Sequence, residues 1–281
     1  MRDDFAIFIL THGRPTQQST KKLLRDIGYS GKIYLVLDNT DETIQKYIDN
    51  HNPNEIFIFD KNAYINSIDV GSNQPLYKCI VYAKAAVEDI AKSLNLSAFA
   101  MIDDDVYKFR HRFVENNVLR SVNITKNFDA LMDNVLEYLF NADLTATSFC
   151  YTSFYICGID AFSEKRMQRY RIPYTFVIRN AKHPFEWSFD YGEDIISAIL
   201  ADKRGDKLTM LPDIQIDSTP PDKRASGGMS ETYAQDTAKL IFREIIAHPD
   251  IITARKYHGK YVGYINRDNA FPKIMNERYK K

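Results

Sequence analysis

An α/β fold, with a mostly parallel central sheet flanked by helices, is predicted by three observations. Short apolar runs recur through the first half of the chain, and segments with helical apolar spacing lie between them. Each run also ends in polar residues, as strands do when their carboxyl ends open onto a ligand crevice.

In chain order, FAIFIL (5–10), KIYLVL (32–37), EIFIF (55–59) and AFAMI (98–102) read as strands buried on both faces. Their polar ends are Thr11 to Arg14, Asp38 and Asn39, Asp60 to Asn62, and Asp103 to Asp105. A helix over 41–50 carries an Asn form of the capping box, Asn39 with Glu42 three residues later. The clearest helix is 75–94, where Leu76, Cys79, Ile80, Ala83, Val87, Ile90, Ala91 and Leu94 form one apolar stripe that should pack on the sheet. After about residue 126 come a helix over 127–140, the β-like runs TATSFCYTSFYIC and YTFVI, and a helix opened by Gly192. Residues 218–232, with two prolines, two glycines and a Lys-Arg pair, suit a mobile loop before a helix at 233–247 and a basic, tyrosine-containing tail. The halves 1–125 and 126–281 are expected to form one continuous domain.

A chain of 281 residues can bury a substantial core without a disulfide or metal staple. Lys plus Arg equals Asp plus Glu at 37 each, so no global field draws the protein onto nucleic acid or a membrane, and such a contact needs a local patch. The three cysteines, Cys79, Cys150 and Cys157, lack a CxxC spacing; this argues against a disulfide framework or structural zinc and suits a reducing cytosol. No run approaches the roughly 20 apolar residues of a membrane helix, and the N-terminal apolar stretch is too short for a signal peptide. A cytosolic protein is expected.

Asp103 and Asp105 form a D-x-D pattern directly after a buried strand. Two hard oxygen ligands there suit Mg²⁺ or Mn²⁺ bridging to a diphosphate, although strand-end aspartates also make simple turns. By alternation Asp104 points the other way and serves the turn.

The order of a strand ending Thr-His-Gly-Arg-Pro, a second ending in Asp38, a third ending Asp103-x-Asp105, and a later Glu193-Asp194 opening a helix resembles the GT-A (Rossmann-like) nucleotide-sugar glycosyltransferases. FILTHGRP and the triple aspartate further resemble phage and base-J-type enzymes that glycosylate hydroxymethylated pyrimidines in DNA. The resemblance implies that 1–125 binds the nucleotide-sugar and 126–281 the acceptor. It implies that Thr11, His12, Gly13 and Arg14 lie along the nucleotide, that Asp38 accepts from the uracil ring, that Asp103 contacts the ribose or the metal-bound donor, and that Asp105 ligates Mn²⁺ or Mg²⁺. A QxxRW motif is missing after the Glu-Asp pair, which disfavours a processive polysaccharide synthase.

A base for the attacking hydroxyl is then Asp194, with Glu193 beside it and Asp190 in reserve, although an acidic first helical turn also satisfies the helix dipole. Lys223 and Arg224 could steady the leaving diphosphate or simply be solvated, and His258 could add a metal ligand or diphosphate contact. For a DNA acceptor, Lys165, Arg166, Arg169 and Arg171 interleave with Tyr170, and Arg110, His111 and Arg112 adjoin the triplet; Trp187 or a tyrosine could stack on a flipped base. A solvated basic surface would look the same.

The function expected is metal-dependent transfer of a sugar from a UDP-sugar to a hydroxyl, with inversion as the simpler route. The acceptor expected is 5-hydroxymethylcytosine or 5-hydroxymethyluracil in phage DNA. A glycan, protein or small-molecule acceptor, a nucleotidyltransferase, and a noncatalytic nucleotide- or DNA-binding module are the alternatives.

Overall fold

A computed structural model describes residues 1–71, 79–163, 175–180, 185–219, 238–257 and 260–266. The expected first half is present as β1 (Phe5–Leu10), α1 (Ser19–Asp26), β2 (Lys32–Asp38), α2 (Ile44–Asn50), β3 (Ile56–Phe59), α3 (Asn62–Ile65), α4 (Val81–Ser93) and β4 (Ala98–Asp103). Then follow β5 (Val106–Glu115), β6 (Val118–Asn123), α5 (Phe128–Asn141), β7 (Ala146–Tyr151), β8 (Phe176–Arg179), α6 (Glu193–Lys203), β9 (Leu208–Ser218), α7 (Ala238–Ala247), β10 (Ile252–Tyr257) and β11 (Lys260–Ile265). Among the described residues no helix is long and apolar enough to cross a membrane.

Nine strands make one sheet in the order β3-β2-β1-β4-β8-β7-β9-β5-β6, and β10 pairs with β11 separately. Following the pairings outward from β1, only β8 and β5 run against the others, so the sheet is mostly parallel in direction. β2 lies on one side of β1 and β4 on the other, which places a topological switch between the ends of β1 and β4.

Strand alternation divides the core in two. Phe5, Ile7 and Ile9 of β1 with Ala98, Ala100 and Ile102 of β4 face a cluster holding Leu24, Tyr47, Phe128 and Leu136, from α1, α2 and α5. Ala6 and Phe8 with Phe99 and Met101 face the other cluster, with Val81, Val87, Phe176 and Trp187. Asp103 follows the parity of Phe99 and Met101, and Asp104 that of Ala100 and Ile102.

Several expectations are corrected. The basic run Arg110, His111, Arg112 lies inside β5, which joins β6 through Asn116 and Asn117 at φ of 51° and 58°, the left-handed pair of a tight hairpin turn. TATSFCYTSFYIC is a strand only to Tyr151; Thr152–Phe162 forms short helical turns that kink at Gly158. β9 is an inner strand despite Pro212, because its pairing with β7 shifts register there and Tyr155 donates to the Pro212 carbonyl at 2.7 Å. Asn39 does not cap α2: its amide spans to Asp60 and to the Lys61 N–H, while Asp41 receives the Thr43 N–H at 2.8 Å. An aspartate turn at Asp41 thus replaces the expected box.

The burial of α4 also differs from the expected stripe. Val81, Lys84, Glu88 and Ala91 are all buried, because the helix is covered by the sheet and by the segment 185–193.

Candidate active site

At the switch point, the end of β1 is fixed by a buried polar network. The Thr11 hydroxyl donates to Asp104 Oδ2 at 2.6 Å and accepts from Gln18 Nε2 at 2.9 Å. Its single proton is then committed, so the Tyr47 hydroxyl, 2.8 Å away, is the donor in that pair. Tyr47 in turn accepts the Arg14 N–H at 2.9 Å, Asp41 accepts the Gly13 N–H at 2.7 Å, and Arg14 Nη1 donates to Asp104 Oδ1 at 2.9 Å. Asp104, 2% exposed, therefore locks the first loop to the end of β4.

His12 Nδ1 lies 3.0 Å from Asp38 Oδ2, and Lys61 Nζ, itself buried, lies 3.6 Å from the same oxygen. Asp38 Oδ1 accepts from the Thr40 N–H at 2.9 Å. Burial works to raise the Asp38 pKa, but the hydrogen bonds from His12 and Thr40 and the charge of Lys61 overcome it and hold the carboxyl well below the usual range. Asp38 is thus an ionised acceptor whose oxygens already have protein partners.

The Asp103 to Asp105 turn is pinned through its carbonyls. Thr20 donates its hydroxyl to Asp103 O at 2.5 Å and its N–H to Asp104 O at 3.2 Å, while Thr219 gives its N–H to Asp105 O at 3.1 Å. The backbone carbonyls hold the turn, and the carboxylates of Asp103 and Asp105 are hard oxygen donors, both oxygens of Asp105 being buried. Among the described residues no three acidic, histidine or cysteine side chains cluster as a metal cage. The donor set fits a Mg²⁺- or Mn²⁺-type ion that keeps water and takes substrate phosphate oxygens as its other ligands.

Across the second core face, α6 begins at Gly192, whose φ is 69° and where a Cβ would overlap the Glu244 carboxylate of α7. Only glycine suits both demands. Lys84 Nζ pairs with Glu193 Oε1 at 2.7 Å and lies 5.1 Å from the ring centres of both Phe176 and Trp187. Burial works to lower the Lys84 pKa, yet the charges of Glu193, Asp194 and then Asp103 outweigh it and the pKa is raised. Lys84 is thus held as a cation chiefly by the Glu193-Asp194 pair, with a further contribution from the charge of the strand-end Asp103. Arg243 of α7 donates to Asp190 Oδ1 at 2.7 Å.

Burial, with the neighbouring charge of Glu193, pushes the Asp194 carboxyl up from its ordinary value. Burial and then the charges of Asp194 and Glu193 push Glu244 up to about 8, and burial pushes Glu88 up to about 7. Raised carboxyl pKa values contribute stability that is complete below the unfolded value, near 4.5, and is lost as pH rises through about 7 and 8. Unfolding free energy is therefore expected to fall between about pH 5 and 9, by at most about 1.4 kcal/mol per pH unit for each group. Glu244→Gln should flatten the upper part of that fall in urea titrations. An identical pH dependence in the variant would remove Glu244 from the account.

Trp187 is a correction. It is 6% exposed, and its Nε1 donates to Glu88 Oε1 at 2.7 Å, so it packs the core under α4 and has no face for a flipped base. Arg110 and Arg112 sit on β5, where Arg110 Nε donates to Asp217 Oδ2 at 2.6 Å and Arg112 Nε to Gln215 Oε1 at 2.5 Å. Lys165, Arg166, Arg169, Tyr170, Arg171, Lys223, Arg224 and His258 lie outside the described residues. Lys84, Glu88, Gln18, Tyr47, Asp41 and Lys61 were not singled out by sequence reasoning. Lys84 and Glu88 did leave a signal: two charges four residues apart on a helix otherwise rich in small apolar residues.

Compared with known proteins, residues 5–228 match the sequence model of the TET-associated glycosyltransferases. No curated protein gives a match. Solved structures similar to this chain include glucosyl-3-phosphoglycerate synthase from Mycobacterium tuberculosis with Mg²⁺ and uridine diphosphate, at 11% identity and a TM-score of 0.45, covering 93% of this chain and 86% of that one. The same enzyme with Mn²⁺ and UDP-glucose gives 12% identity and a TM-score of 0.45 over the same shares, 93% and 86%. A further mycobacterial protein gives 10% identity and a TM-score of 0.41, over 93% of this chain and 83% of that one.

Proposed function

Because the chain belongs to the TET-associated glycosyltransferase family, we propose that it moves a sugar from a UDP-sugar to the hydroxyl of a 5-hydroxymethylpyrimidine in DNA, with Mn²⁺ or Mg²⁺ at Asp103 and Asp105. The observation that carries this reading is buried Lys84, which pairs with Glu193 at 2.7 Å and whose charge is favoured by Glu193, Asp194 and Asp103. In this reading the base and the strand-end acidic pair serve one crevice at the switch point.

In this reading Asp194 takes the proton of the attacking hydroxyl, and its raised pKa makes it a stronger base than an exposed aspartate. Glu193, held by Lys84, fixes the first turn of α6. The Thr11 to Arg14 loop, tied down by Asp104 and Tyr47, lines the nucleotide side. The cation, when bound, offsets the charge that develops on the departing diphosphate. The acceptor base is suggested by the family's TET association and by the resemblance to hydroxymethylpyrimidine-modifying enzymes.

The test is to incubate the protein with Mn²⁺, a panel of UDP-sugars, and DNA with or without hydroxymethylated pyrimidines, and then measure nucleoside masses after digestion. One hydroxymethylated nucleoside should gain one sugar residue and unmodified DNA none. Release of pyrophosphate, or transfer only to non-DNA hydroxyls, would replace this reading.

A further inference from the structure

Beside the crevice, on the α1 face of the sheet, lies a groove of about 710 Å³. Arg14, Lys21, Lys22 and Arg25 line it, and at one end it reaches Asp105 and Thr219, so the groove runs up to the acidic turn from the face opposite Lys84. Among the described residues that line it, Asp105 is the one carboxylate against four cations, in a chain whose charges cancel at 37 each. With Arg14 paired to Asp104 and Lys21 to Glu55, Lys22 and Arg25 leave the groove net positive, and a local positive field in a neutral protein draws a polyanion to that place.

The three cations of α1 are held in position without being used up. Lys21 Nζ pairs with Glu55 Oε2 at 2.8 Å, leaving two of its three protons for a ligand. Arg25 gives Nη1 to the carbonyls of Tyr29 and Gly31 at 2.7 and 2.8 Å, which fixes its plane and leaves its other nitrogens available. Lys22 is exposed between them. Three of these residues, at 21, 22 and 25, sit within about one turn of a single helix, so they present a row and not a point.

The geometry points to this groove as the track for the phosphodiester backbone of the nucleic-acid acceptor, an inference that rests on the proposed DNA acceptor. A row of cations leading to the acidic turn suits successive phosphates of a strand whose target nucleoside enters the crevice. The donor's diphosphate is expected at the acidic turn itself, where the groove ends, against the cation at Asp103 and Asp105.

The test measures binding of the full chain to duplex DNA, with and without hydroxymethylcytosine, over a salt series, for wild type, Lys22→Ala and Arg25→Ala. Each variant should lower the slope of log affinity against log salt by about 1 and weaken both DNAs alike, by roughly three- to tenfold. The KM for UDP-sugar should not move, and Lys92→Ala, a cation on the opposite helix α4, should behave as wild type. Lys22 has an exposed side chain, so its variant reports on binding even if Arg25→Ala loses the turn it braces. Unchanged slopes in both variants would overturn the groove while leaving a DNA acceptor standing. A wild type that binds no DNA would overturn both, and a raised KM for UDP-sugar with unaltered DNA binding would assign the groove to the donor.

Discussion

Asp105→Asn is expected to lower sugar transfer about a thousandfold or more at fixed Mn²⁺. The change removes one anionic ligand while keeping the volume and the turn, which is held by the Asp105 carbonyl to Thr219 and by Thr20 on the two preceding carbonyls. Charge stabilisation by a divalent ion at a leaving diphosphate contributes several kcal/mol, and each ~1.4 kcal/mol is a factor of ten in rate. The thermal midpoint should stay close to wild type, and the Mn²⁺ concentration for half-maximal activity should rise. Wild-type turnover in this variant, with the same Mn²⁺ dependence, would sink the assignment of Asp105 to the cation.

Asp194→Asn should cost roughly 10²- to 10⁴-fold in turnover, the usual yield of a positioned general base. The KM for UDP-sugar should be unaffected, since the donor does not need the base. Because burial and Glu193 raise the Asp194 pKa, the wild-type rate should climb with pH above the ordinary carboxylate range, and the variant's residual rate should lose that limb. Glu193→Gln separates chemistry from structure: it leaves Lys84 buried without its carboxylate, so it should lose stability as well, by about 3–5 kcal/mol. If Asp194→Asn keeps full activity, Asp190, already paired with Arg243, becomes the next base to test.

The parallel half of the fold was legible because β1, β2, β3 and β4 are continuous apolar runs bounded by polar ends, a pattern few other arrangements produce. The opposite sides of Asp103 and Asp104 followed from strand parity alone. The hairpin β5–β6 was hidden by its charges: the Arg110, His111, Arg112 run reads as a surface patch, and only the Asn116-Asn117 pair marked the turn. β9 was hidden by Pro212, which local rules place outside an inner strand and which this sheet accommodates by a shift in register.

The site divides in the same way. Acids at strand ends are visible in a sequence because the strand precedes them. Their supports are not, because Lys84 is far in sequence from Glu193, and Tyr47 from Thr11, so only the folded chain brings them together. Trp187 misled for a related reason: an indole suits base stacking and core packing equally, and the choice is made by Glu88, which supplies the buried acceptor its N–H requires.

The contacts of α7 with the Gly192 turn have a consequence during synthesis. Asp190 and Gly192 leave the ribosome well before Arg243 and Glu244, which reach back to them. Until those residues emerge, Asp190 lacks the Arg243 guanidinium and the Gly192 turn lacks the Glu244 carboxylate packed against it. The nascent chain can therefore build its nine-stranded sheet and its acidic triplet before α7 is available to cover the Gly192 turn.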